Sequence, residues 1–249
     1  MVMGGKMKEN SFRHENYASV LCAQGDVFRH KNNPRAALKQ YLSSIMIKRD
    51  NIDAYKGLSL TYKKLKDYER AISCLLKAKE MSQFDAVIYY ELGMNYLLNS
   101  QVPEASKNLR RAIRLNNKNY NAQMQLAIAH ELMGEDELAL CIYQKIIEEK
   151  PRFIPAYNHK ARIYMTGRDY NSALNTFKKI LEVNPRYYKA YLGLGICCEK
   201  SGYPSKALSN YKKFISLAPS SKNAKTIKER VEMLSKSIRE KVSFLRLVK

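Results

Sequence analysis

Four histidines and five cysteines are the side chains best suited to metal or nucleophilic chemistry here, and their spacing scatters them. His14, His30, His130 and His159 fall in four separate segments, none at ligand spacing from a Cys, Asp or Glu. Cys22, Cys74, Cys141, Cys197 and Cys198 contain no C-x-x-C and form no even framework. That usage reads as a reduced, cytoplasmic chain whose free thiols serve as small core residues. The vicinal Cys197 and Cys198 have two readings, a redox pair and a buried structural pair, of which the second is preferred. The sequence has no phosphate-cradling G-x-x-x-x-G-K-[ST] and no G-x-S-x-G nucleophile turn. The expectation is therefore a chain that is not an enzyme, with no catalytic residue, no metal and no cofactor.

Charge is the other chemical feature. The 44 Lys and Arg against 23 Asp and Glu give a net +21. Such a surplus attracts anions, acidic proteins, nucleic acid or anionic lipid, and it says nothing about fold. The plainer reading is lysine used as the default solvated residue. No apolar run has signal-peptide length at the N-terminus, and none approaches a transmembrane span.

The elements that position these residues repeat. Ala37, Ala71, Ala105, Ala139, Ala173 and Ala207 stand 34 residues apart, without insertion or slip. A second column is small throughout (Gly25, Ser59, Gly93, Ala127, Ala161, Gly195) and a third is bulky (Tyr41, Leu75, Leu109, Tyr143, Phe177, Tyr211). A fixed period of this size marks a stack of repeated units. Within each unit apolar residues recur at helical spacing on either side of a turn, as with Tyr55, Leu58, Ser59 and Tyr62 before Lys66-Asp67. Pro151, Pro185 and Pro219 stand where the second helix must stop. The spacing predicts two antiparallel helices per unit, with small residues where they cross closely. The units are 18–51, 52–85, 86–119, 120–153, 154–187 and 188–221, between a polar, unstructured head at 1–17 and a basic amphipathic helix at 222–249. In that tail Ala224, Ile227, Val231, Leu234 and Ile238 share one face and would cap the last unit. Its apolar tip, Val242 to Val248, exceeds what a cap requires.

An aromatic residue, then L-G/A/S-x-x-Y, then A-x-x-x-F/Y/L and a proline, at period 34, resembles the tetratricopeptide repeat. The resemblance covers six in-phase units. It implies an all-α, right-handed solenoid of six helix pairs, with the first helices lining a concave ligand-binding groove. Departures are Gln123 for the leading aromatic, and Gln24 and Lys160 for the usual leucine.

The residues expected on that inner face change character along the chain. Lys56, Lys63 and Lys64 make it basic in unit two. Tyr90, Met94, Leu97, Leu98, Met124, Ile128 and Leu132 make it apolar in units three and four. Asn158, Arg162 and Met165 make it mixed in unit five. An apolar stripe on a solvated wall marks a binding site unless neighbouring helices bury it. The lysine and asparagine clamp with which some relatives grip a C-terminal carboxylate is missing, since Cys22, Asp26, Leu60, Tyr90 and Met94 stand in those places. A basic ladder marks the second helices: Arg110-Arg111, Gln144-Lys145, Lys178-Lys179 and Lys212-Lys213.

The expected function is a protein–protein interaction scaffold or adaptor, alone or within a larger complex. Its ligand would be a segment of another protein, apolar at its centre and acidic on a flank. The alternative is binding of nucleic acid or an anionic membrane surface through the basic outer face and tail. Against it, the basic residues are not interleaved with exposed aromatics as single-strand binders require.

Overall fold

The computed structural model describes residues 3–247, with side chains over 16–240. Among them are thirteen helices and no strand. They are α1 (Met3–His30), α2 (Pro34–Ile47), α3 (Ile52–Lys64), α4 (Tyr68–Met81), α5 (Ala86–Leu98), α6 (Val102–Leu115) and α7 (Tyr120–Leu132). Then follow α8 (Asp136–Glu149), α9 (Ile154–Thr166), α10 (Tyr170–Val183), α11 (Tyr188–Lys200), α12 (Pro204–Leu217) and α13 (Ala224–Leu247). The chain is an all-α solenoid in its fold class.

Each pair turns the same way, and the backbone shows why. Asn32, Lys66, Ser100, Gly134, Arg168 and Gly202 all have positive φ, between 59° and 79°, and each lies one repeat from the next. The following amide reaches back to a carbonyl of the first helix: Asn33 to Phe28, Asp67 to Tyr62, Gln101 to Tyr96, Glu135 to His130, Asp169 to Tyr164 and Tyr203 to Cys198, at 2.8–2.9 Å. This is the Schellman closure, which satisfies helix-end carbonyls and reverses the chain. Four of the six left-handed residues carry side chains, so the turn is imposed by the packed helices and not by glycine alone.

Helix starts are equally local. The side chains of Asn33, Asn51, Asp67, Asp85, Asn119 and Asp169 each accept a first-turn amide. Pro34, Pro103, Pro155 and Pro204 occupy first-turn positions where no N–H is needed. Pro151, Pro185 and Pro219 fall two residues beyond the ends of α8, α10 and α12.

The chain divides into two compact units, Met1–Glu135 and Asp136–Lys249, so the division falls in the turn of the fourth pair. In the first, Tyr41 packs with Cys22, Ala37, Ala54 and Leu58, and Leu75 with Ile72, Ala78, Ile88 and Leu92. The small column is small for a steric reason. A Cβ on Gly25 would stand 2.6 Å from the Tyr41 ring, and one on Gly93 2.5 Å from Leu109 Cγ. All six alanines of the first column are fully buried.

In the second unit α13 covers the last pair. Ile227, Val231 and Leu234 pack on the cluster of Cys198, Ala207 and Tyr211. Arg230 pairs with Glu199, which also accepts the Tyr211 hydroxyl at 2.8 Å. The side chains of the apolar tip, Val242, Phe244, Leu245, Leu247 and Val248, lie outside those described.

One expectation changes at the other end. The head does not stay irregular: α1 is helical from Met3, with no proline between Gly5 and His30 to stop it. Tyr17, at the end of that head, is mostly exposed.

Candidate partner-binding face

In the first unit the first helices of successive pairs lie side by side, α1 against α3 and α5 against α7. Two ion pairs link α3 to the next repeat. Lys56 Nζ lies 2.5 Å from Asp85 Oδ2, and Lys63 Nζ lies 2.5 Å from Glu91 Oε2. Asp85 is also the N-cap of α5, its Oδ1 accepting the Val87 amide at 2.8 Å. Partial burial works against its charge, yet the Lys56 ammonium and the Val87 amide hold its carboxyl below the usual range. Lys63 and Lys64 close the last turn of α3, where cations favour the helix dipole.

Between and beyond these pairs the face is apolar. Tyr90, Met94 and Leu97 are half-buried on α5, and Leu98 at its end is 46% exposed. On α7 Ile128 is half-buried and Leu132 is 62% exposed. Burial, then the neighbouring Glu91 charge, raises the Tyr90 phenol above its ordinary pKa, so it stays neutral. Met124 is a correction. It is only 6% exposed, on a helix packed against both α5 and α6, so it belongs to the core.

Val87 was missed by the sequence reading. It is 57% exposed and stands three residues before Tyr90 and seven before Met94, on the same helix face. That i, i+3, i+7 spacing was the available signal.

The expected flanking cations differ from expectation too. Lys56 and Lys63 are engaged within the chain, so an acidic partner group would have to displace Asp85 or Glu91. Lys64 is exposed. Asn158, Arg162 and Met165 stand on α9, in the other compact unit. There Asn158 donates to the Tyr187 hydroxyl at 2.7 Å, and Arg162 lies 3.1 Å from His159 Nδ1. The structure brings together the residues of α3, α5 and α7 within one unit.

The outer basic ladder is partly occupied. Arg111 sits over the rings of Phe84 and Tyr89, 5.8 Å from each centroid, a cation–π arrangement. Arg110 lies 3.4 Å from Nε2 of the buried His130, whose Nδ1 faces Glu135 at 2.5 Å. His130 is thus a core residue with both ring nitrogens occupied. All five cysteines are free thiols, with Cys22, Cys197 and Cys198 buried. No group of three His, Cys, Asp or Glu that could hold a metal occurs among the described residues. No helix among them is long and apolar enough to cross a membrane.

Paired helices at a fixed period, with an apolar strip open on one layer, define a helical-repeat protein-interaction scaffold. Models of the tetratricopeptide repeat match residues 52–85, 90–152 and 159–222, and the chain belongs to that family.

Solved structures share the fold at low identity. PilF of Pseudomonas aeruginosa is 14% identical, with a TM-score of 0.68 over 87% of this chain and 99% of its own. PilW, a type IV pilus biogenesis factor, is 17% identical, with a TM-score of 0.69 over 84% and 97%. YrrB, a repeat protein of this family with an unusual peptide-binding site, is 21% identical, with a TM-score of 0.60 over 76% and 97%. Among curated sequences the BBSome complex member BBS4 of Xenopus tropicalis is 30% identical over 109 residues. That stretch is 44% of this chain and only 21% of the relative.

Proposed function

We propose that this chain is a non-enzymatic adaptor that holds an apolar segment of a partner protein on the α5–α7 face. The observation that supports it is Leu98 and Leu132, one repeat apart and both substantially exposed beside half-buried Met94, Leu97 and Ile128. A solvated helix layer gains nothing by presenting such a strip, and contiguous exposed apolar surface marks interaction sites. Methionine adapts to varied partner side chains, which suits an adaptor.

Each partner side chain fully buried there contributes about 1.5–3 kcal/mol. Association costs at least about 4 kcal/mol. The strip alone therefore gives weak binding, and exposed Lys64 is placed to add an acidic contact at its edge. We read the chain as cytoplasmic, in keeping with its free thiols, and as one member of a larger complex.

The test is capture of partners by the immobilised chain, beside the Leu98→Ser/Leu132→Ser variant, at low and physiological salt. Both leucines are exposed enough for the variant to keep its helicity. Loss of a partner that survives physiological salt supports the face. A partner retained by the variant places the site elsewhere. Capture only of nucleic acid or anionic vesicles, abolished by salt, favours the charge-driven alternative.

A further inference from the structure

The second compact unit contains a pocket at a place where the repeat pattern is broken. In four of the six units the position of Lys160 is leucine (Leu58, Leu92, Leu126, Leu194), and all four are buried. At the fifth unit an ammonium takes that place, half-buried on α9. Around it lies a cavity of ≈ 160 Å³ between α8, α9 and α10, lined by Gln144, Tyr157, Lys160, Tyr164, Asn175 and Lys179 among others. A single water needs only about 10–15 Å³ on the same measure.

The lining carries two cations and no carboxylate, while Glu148 and Glu182 act from outside it, on Lys160 and on Tyr157. Lys160 Nζ donates to Gln144 Oε1 at 2.6 Å and sits 5.8 Å from the centroid of the Tyr164 ring. Neither Lys160 nor Lys179 is in an ion pair with a described carboxylate. Glu148, the acidic group that acts on Lys160, already accepts the Gln144 amide at 2.7 Å. Burial, and then the charge of Lys179, lower the pKa of Lys160. Two lysines thus face one cavity and repel each other, at a place where the fold ordinarily puts a leucine. A bound dianion relieves both costs at once, the desolvation and the repulsion.

We propose that this pocket binds a phosphate group, with the ammonium groups of Lys160 and Lys179 as its counter-charges and Asn175 as an amide donor. Charge matching selects the class. A phosphate monoester carries close to two negative charges near neutral pH, which two lysines balance. A carboxylate would leave one cation uncompensated. The aromatic walls of Tyr157 and Tyr164 leave room for a small organic group attached to the phosphate.

The test is calorimetric titration of the full chain with inorganic phosphate, phosphoserine and acetate at fixed ionic strength. Phosphate or phosphoserine should bind, with acetate at least about tenfold weaker. Tighter phosphoserine than phosphate identifies a monoester as the ligand, and equal affinity identifies the free ion. Lys160→Leu restores the residue of the other units and should melt no lower than the parent, while losing at least about tenfold in phosphate affinity. Lys179→Gln, at an exposed position, should lose affinity similarly without touching the core, and Lys213→Gln should lose none. Absence of phosphate uptake by the parent chain overturns the proposal, as does unchanged affinity in both Lys160→Leu and Lys179→Gln.

Discussion

Lys63 Nζ lies 2.5 Å from Glu91 Oε2, joining the last turn of one first helix to the middle of the next. Both side chains are largely covered, so the pair is better shielded than a surface salt bridge. A double-mutant cycle on Lys63→Ala and Glu91→Ala should return a coupling of about 0.5–1 kcal/mol. Strict additivity of the two losses would show that the pair holds nothing together in solution. Lys63→Glu should be worse than Lys63→Ala, because it sets two carboxylates against each other.

Asp85 gives the first unit an acid-sensitive joint. Its folded pKa lies below the ordinary carboxylate value, with Lys56 and the Val87 amide as the stabilising contacts. A depressed folded pKa contributes stability that is fully present above the unfolded value and is lost as pH falls through the folded one. The window therefore opens just below pH 4, near the ordinary aspartate value, and neutral solutions do not enter it. Asp85→Ala should cost about 1 kcal/mol at neutral pH from the lost N-cap alone. Urea midpoints of parent and variant should converge as the pH is lowered through that window, and a constant gap would contradict the assignment.

The left-handed turn residues offer stabilisation. Lys66 and Arg168 hold φ near 60°, where a Cβ is unfavourable by about 1–2 kcal/mol. Gly134 and Gly202 occupy the same turn position without that cost. Lys66→Gly and Arg168→Gly should each raise the unfolding free energy, by about 0.5–1 kcal/mol once the added freedom of glycine in the unfolded chain is subtracted. Denaturant midpoints should rise with unchanged slope. A fall in both would mean that the long side chains contribute more at these turns than the backbone loses.

The period, the turns and the packing columns were legible in the amino-acid order because they are local or repeated. A turn that must reverse the chain every 34 residues leaves polar or glycine residues at fixed places, and a close crossing leaves alanine or glycine. Six copies repeat each signal. The break at Gln123 shows where such reading ends. The hydroxyls of Tyr89, Tyr157 and Tyr191 donate to the carbonyls of Gln83, Pro151 and Pro185, six residues back. Gln123 makes the same bond through its amide, to the Asn117 carbonyl at 2.7 Å. A departure in residue type thus keeps the contact, at the cost of leaving its buried Oε1 without a partner among the described residues.

What tertiary structure alone decided is how far each face residue is covered and whom each charge meets. Met124 and Ile128 share a helix face in sequence, yet one is core and the other half-open, which only the packing of α7 against its neighbours sets. Lys56 and Lys63 look like free cations until Asp85 and Glu91, 29 and 28 residues later, are set against them. Lys160 looks like a flaw in a leucine column until α8 and α10 supply the walls of a cavity and a second lysine. Helical periodicity names the side of a helix from neighbours in sequence; burial and ion pairing depend on distances between segments, which packing alone sets.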